Sequence, residues 1–101
     1  MLLAGTLAAE PGYLSRPEWQ AASTDGVAVS RLPVLRNVVA GAQARPGARI
    51  AVRYPGGDAG TAWATEVREW LVALGIAGSR IVLEPGSGRR DDLALEVIDG
   101  S

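Results

Sequence analysis

The side chains of this chain that carry chemistry are carboxylates, guanidiniums and hydroxyls, because it holds no cysteine and no histidine. That removes disulfides, thiolate nucleophiles, the usual zinc ligands and the group that most often exchanges protons near neutral pH. Ser87 has no base that the sequence places beside it, and Asp91 and Asp92 are neighbours in a loop-like stretch rather than convergent across a cleft. Neither a nucleophile with its base nor a working carboxylate pair is assembled. The expectation is a protein that is not an enzyme and uses no cofactor and no metal.

Three constellations could still bind something. Asp58, in Pro55-Gly56-Gly57-Asp58-Ala59-Gly60, precedes a helical stretch, so its carboxylate suits either a cationic ligand or the free amides of a helix start. Gly86-Ser87-Gly88-Arg89-Arg90 offers backbone amides, the Ser87 hydroxyl and the Arg89 and Arg90 guanidiniums to an anion. Against that stand the lack of a GxGxxG pattern, the lack of a following helix, and Asp91-Asp92 directly after; a flexible hairpin loop is the plainer reading. Arg49, Arg53 and Arg80 could form a positive patch on an open sheet face, yet Glu84 and Glu96 lie on neighbouring strand-like segments and suit cross-strand pairing.

The charge balance narrows the partners. The net charge is −1, so no global field favours nucleic acid or an anionic membrane. All the basic residues are Arg and none is Lys, which reads as GC-rich coding or, more sharply, as selection for bidentate anion contacts. An RNA-binding sheet would want exposed aromatics on central strands, and only Tyr54 is available, on the face assigned below to the core. No nucleic-acid partner and no membrane span are expected.

The elements that must hold these groups follow from periodicity. With 101 residues, 48% hydrophobic and 21% charged, the chain has the composition of one globular domain with one core. Residues 1–14 show no clean period and are expected to be loose, leaving 15–101 as a single α/β domain. Ser15-Arg16-Pro17-Glu18 has the spacing of a capping box and predicts a short helix to about Ala22, with Trp19 either anchoring it to the core or facing a partner. Asp25-Gly26 reads as a turn and Val27–Ser30 as a first strand. Leu32, Leu35, Val38, Val39 and Ala42 recur at steps of three and four, a helical stripe over 33–43. In 49–54, Ile50, Val52 and Tyr54 alternate with Arg49 and Arg53, the signature of a strand. A second helix over about 61–74 is capped by Asp58 or Thr61, buries Trp63, Val67, Trp70 and Leu71, and stops at Gly75 before Ile76. Two strands follow, carrying Ile81 and Leu83, then Leu93, Leu95 and Val97. The predicted fold is an α/β sandwich in the order β-α-β-α-β-β, a mixed four-stranded sheet with two helices on one face and the last two strands as an antiparallel pair, plus a short N-terminal helix.

From Leu35 to Val97 the chain resembles the OmpA-like domain of bacterial envelope proteins, which bind peptidoglycan. The resemblance lies in a helix, then Arg45-Pro46-Gly47-Ala48-Arg49-Ile50-Ala51-Val52 into a loop with Asp58 and Gly60. After it come a helix ending Trp70-Leu71-Val72-Ala73-Leu74-Gly75-Ile76 and then Ser79-Arg80-Ile81. It implies that an aspartate after the second strand and an arginine in the next helix hold the two ends of a diaminopimelate unit. Asp58 matches the aspartate. The arginine's position falls near Trp63, with Arg68 a turn or more later, and the loop is several residues shorter than the family's. The candidate ligand-binding set is therefore Asp58, Gly60, Arg68 and Arg53, with Ser87, Arg89 and Arg90 as a candidate anion loop. The resemblance implies a binding or assembly module of the periplasm or envelope, partnered by peptidoglycan or an envelope protein; the alternative is a cytoplasmic protein–protein adaptor. Met1 to Ala9 is apolar like the tail of a secretory signal but has no basic n-region, and Thr6 stands where a lipid-bearing cysteine would have to be.

Overall fold

A computed structural model describes residues 11–99. Strand β1 (Gly12–Ser15) leads into helices α1 (Arg16–Ala22), α2 (Gly26–Ser30) and α3 (Pro33–Ala44). Strand β2 (Arg49–Tyr54), helix α4 (Asp58–Ala73), a 3-10 turn (Gly78–Arg80) and strands β3 (Ile81–Pro85) and β4 (Asp92–Ile98) complete the order. The chain is thus mixed α/β with one four-stranded sheet, ordered β1-β4-β2-β3. β2 and β3 are parallel, whereas β4 is antiparallel to both β2 and β1.

Local chemistry explains most of these boundaries. The Ser15 hydroxyl accepts from the Glu18 amide at 3.2 Å while the Glu18 carboxylate accepts from the Ser15 amide at 3.1 Å, a closed capping box with Pro17 in the first turn. At the end of α4 the Ile76 amide reaches back to the Leu71 carbonyl and the Gly75 amide to Val72. That paired closure needs a left-handed residue, which Gly75 supplies at φ 107°. Ile76 is then buried, 1% exposed.

Three expectations are corrected. Val27–Ser30 is helical, not a strand, because the Asp25 carboxylate accepts from the Val27 amide at 2.9 Å and opens α2. An Asp-Gly pair read as a turn is here a helix cap. The first strand lies instead at Gly12–Ser15, inside the stretch expected to be loose; Gly12, Tyr13 and Leu14 pair with Leu95, Ala94 and Leu93. Residues 1–10 of that stretch lie outside the described residues. Finally, β3 and β4 do not pair with each other. The Gly86 and Ser87 amides both donate to the Tyr54 carbonyl at the end of β2, so the connecting loop crosses that end and sets β4 down on the far side of β2.

The two inner strands bear the mark of their position. Ile50-Ala51-Val52 in β2 and Leu93-Ala94-Leu95 in β4 are each buried as consecutive runs, in keeping with strands that have a neighbour on either edge. One face, with Ile50, Val52, Leu93 and Leu95, joins Leu35, Val38 and Ala42 of α3 and Trp63, Val67 and Leu71 of α4 in a single apolar cluster that also takes in Trp19. The opposite face carries Arg53, Glu84 and Glu96.

Arg80 binds the end of α3 to the rest. Its Nε donates to the Ala48 carbonyl and its Nη2 to those of Ala42 and Arg45, at 2.8, 2.8 and 3.2 Å. Carbonyls in the last turn of a helix have no partner within it, and one guanidinium fork serves them and the following loop together. Arg80→Ala should cost about 2 kcal/mol in urea unfolding. Arg80→Lys should restore less than half of it, because a single ammonium cannot span the same acceptors.

Candidate functional site

Asp58 is the first residue of α4, but the cap position belongs to Gly57, at φ 96°, and no side chain bonds the free amides. The cap expected from Asp58 or Thr61 is therefore not made. The Thr61 hydroxyl donates to the Gly57 carbonyl at 3.1 Å, a bond in the opposite sense from a cap. Asp58 is exposed, and among the described residues it makes neither a hydrogen bond nor an ion pair. Its charge still sits favourably at the positive end of the helix dipole.

Gly60 is buried for a steric reason. A Cβ there would lie 1.8 Å from the Pro55 carbonyl oxygen and 3.5 Å from the Tyr54 ring, so the first turn of α4 rests directly on the loop that delivers it. Arg68 does not join Asp58. Ten positions along one helix separate the two by about 15 Å, and the Arg68 guanidinium lies over Gly78, where a Cβ would come within 2.6 Å of its Nη2. Near Asp58 in sequence, where the family resemblance puts an arginine, Trp63 is buried with the Arg16 guanidinium stacked on its ring at 4.4 Å.

Arg53 points to the open sheet face, away from α4. Its Nε meets Glu84 at 3.1 Å and its Nη1 meets Glu96 at 2.7 Å, joining β3, β2 and β4. The hydrogen bond to Glu96 and the field of both carboxylates raise the Arg53 pKa above its ordinary value, against the opposing effect of burial. A positive patch of Arg49, Arg53 and Arg80 does not form: Arg53 is neutralised by its neighbours, and Arg80 is spent on main-chain carbonyls.

The anion loop is likewise consumed from within. The Ser87 hydroxyl donates to the Arg89 carbonyl and accepts from the Arg89 amide, at 2.8 and 3.2 Å. Arg89 stacks on the Tyr13 ring at 3.6 Å and pairs with Asp92 at 3.3 Å. The Gly86 and Ser87 amides are committed to Tyr54 and that of Arg89 to Ser87, so these three amides are turned to the loop's own acceptors, and Arg90 is exposed. Ser87 has no carboxylate among its hydrogen-bond partners to act as its base.

Periodicity gave no sign of a hollow beside α3. A groove of about 440 Å³ runs beside α3, β1 and the far end of β4, lined among others by Val34, Asn37, Val38, Gly41, Arg45 and Val97. Gly12 and Gly41 bring the backbones together: a Cβ on Gly12 would meet Val34 at 2.6 Å, and one on Gly41 would meet Val97 at 3.1 Å. Glu18 and Glu96 also line it, the first engaged with the Ser15 amide and the second with Arg53. Those two glycines, which interrupt a strand and a helix, were the only signal available from sequence.

Among the described residues no group of three His, Cys, Asp or Glu side chains is placed to hold a metal. No helix there is long and apolar enough to cross a membrane. Comparison with protein-family models, with curated proteins and with solved structures finds no match for this chain.

Of the candidate residues, Gly60 carries the plainest structural load. Gly60→Ala should lower stability by about 2 kcal/mol or more, since the opposing atom is main chain and cannot swing away. Asp58→Ala should stay within about 0.5 kcal/mol of the parent. Chemical denaturation of both variants checks the contrast.

Proposed function

We propose that this chain is a non-enzymatic binding or assembly module of the bacterial cell envelope, OmpA-like in topology, with the peptide portion of peptidoglycan as its ligand. The observation that carries the reading is the unengaged carboxylate of Asp58, exposed on the first turn of α4 and excused from capping by Gly57. A carboxylate with no hydrogen-bond or ion-pair partner among the described residues, held at a fixed helix start, is a ready acceptor for the amine of diaminopimelate. Gly60 supports the same reading by seating that turn against Pro55. With Arg68 about 15 Å further along α4, the carboxylate end of the ligand has no matching guanidinium, so affinity rests on the amine contact and is weak. The internal bonding of Ser87 supports a role without catalysis.

A second reading, a cytoplasmic protein–protein adaptor, draws support from the groove beside α3, which has the size and mainly apolar lining of binding sites. An NMR titration of the labelled chain with soluble diaminopimelate-containing muropeptides separates the two. The envelope reading expects saturable shifts over 56–61 that vanish in Asp58→Ala. Flat spectra at about 1 mM ligand would remove peptidoglycan from the account.

A further inference from the structure

The edge of the sheet away from β1 is β3, about 14 Å across three strand spacings from the strand that residues 1–10 lead into. Its outward main chain is that of Leu83. Tyr54 stands opposite Pro85 and its carbonyl accepts from the Gly86 amide, so parallel pairing turns the Val82 and Glu84 amides to β2 and the Leu83 amide and carbonyl away from it. Ile81 spends its amide on the Gly78 carbonyl, and Pro85 has none to offer.

Beside this edge α4 carries a stripe outside the core, Asp58, Thr61, Thr65, Arg68 and Val72. Arg68 and Val72 lie over Gly78, just ahead of β3, so the stripe sits on the β3 side of the helix. The Thr61 and Thr65 hydroxyls already donate to the Gly57 and Thr61 carbonyls, and covering them strands no donor. Asp58 and Arg68 pair with no opposite charge among the described residues.

These features complement themselves. Gly60 rests on Pro55, next to the Tyr54 and Pro85 pair, whereas Arg68 lies over Gly78, so α4 runs opposite to β3 with the residues around Trp63 level with Leu83. A two-fold axis through Leu83 reverses the partner's helix about that level. Asp58 and Arg68, each five positions from Trp63, then fall opposite one another twice. α4 packs on both β2 and β3, which sets its axis about half a strand spacing inside the edge, and two copies joined there bring their α4 axes to about 10 Å, the spacing of packed helices.

We propose that the chain pairs with a second copy of itself in this way, β3 against β3 in one continuous sheet. The two Leu83 residues exchange amide-to-carbonyl bonds, their side chains extend the core beneath the paired α4 helices, and each Asp58 meets the partner's Arg68. The contact is isologous, so both charge pairs form at once. The inference goes beyond the peptidoglycan reading and needs no ligand; a muropeptide amine held at Asp58 would compete with the partner's Arg68 and favour the single chain.

Sedimentation equilibrium of the full chain without ligand should show a dimer forming between about 10 µM and about 1 mM, and hydrogen exchange at the Leu83 amide should slow as the dimer accumulates. Asp58→Arg and Arg68→Asp should each weaken pairing by about tenfold or more, because each sets like charges together at two places. The double variant should return to within about threefold of the parent. That recovery cannot arise inside one chain, where the two positions are about 15 Å apart. A chain that stays single at about 1 mM would overturn the proposal, as would a dimer indifferent to the single reversals. So would a dimer of the parent chain whose Leu83 amide exchanges as fast as in the monomer, a result that depends on no variant's folding. Failure of muropeptides to bind at Asp58 leaves these outcomes untouched, so the two ideas stand or fall separately.

Discussion

The placement of β4 between β1 and β2 is the constraint on which the rest of the structure depends. Without it β1 has no partner strand, the Arg16 amide at the start of α1 loses its bond to the Asp91 carbonyl, and the core loses Leu93 and Leu95. What puts β4 there is modest: two amides of the preceding loop donating to a single carbonyl, that of Tyr54. Once it is in place the open face is stitched by Arg53, whose guanidinium reaches a carboxylate on either side. Being partly buried, that three-strand link is screened less by salt than an exposed pair.

How much of this was legible in the sequence depends on how local the deciding interaction is. Apart from the start of α4, the helices expected over 33–43 and about 61–74 and found at Pro33–Ala44 and Asp58–Ala73, the 49–54 strand and the core faces of the last two strands follow in kind from spacing. So do the capping box at Ser15 and the stop at Gly75, each a contact spanning three to five residues. β1 escaped because it is four residues long and its evidence is entirely its pairing with residues about eighty positions away. α2 escaped because one side chain, Asp25, decides between turn and helix, and composition does not say which. The order of the strands was illegible for the same reason as β1.

The candidate site shows the same division. Arginines were read as ligand groups wherever they clustered, but Arg80 serves a helix end, Arg53 pairs with two neighbouring strands, Arg68 lies over Gly78 and Arg89 stacks on an aromatic ring. A guanidinium has several donors in one plane and will meet acceptors of its own fold before those of a ligand. Asp58 runs the other way: a residue whose plain role was to cap a helix makes no hydrogen bond or ion pair among the described residues, which is why the proposed binding role rests on it. The groove depends on close approaches at Gly12 and Gly41 that involve residues far apart in the chain, and no local pattern announces them.

The sheet order also fixes when the protein can become itself. β1 is made first of the strands and β4 last, yet β1 touches the sheet only through β4. While the ribosome is still at work, β2 and β3 can zip together with α4 over them, but β1 and α1 must wait, tethered and unsheeted, until nearly the whole domain has emerged. The inner place in the sheet is filled from outside, by a strand that arrives after its neighbours. Non-local closure of this kind is slow relative to helix formation. Closure of the sheet therefore waits on β4, and for that interval the apolar side of the half-built sheet is open to whatever else the cell offers.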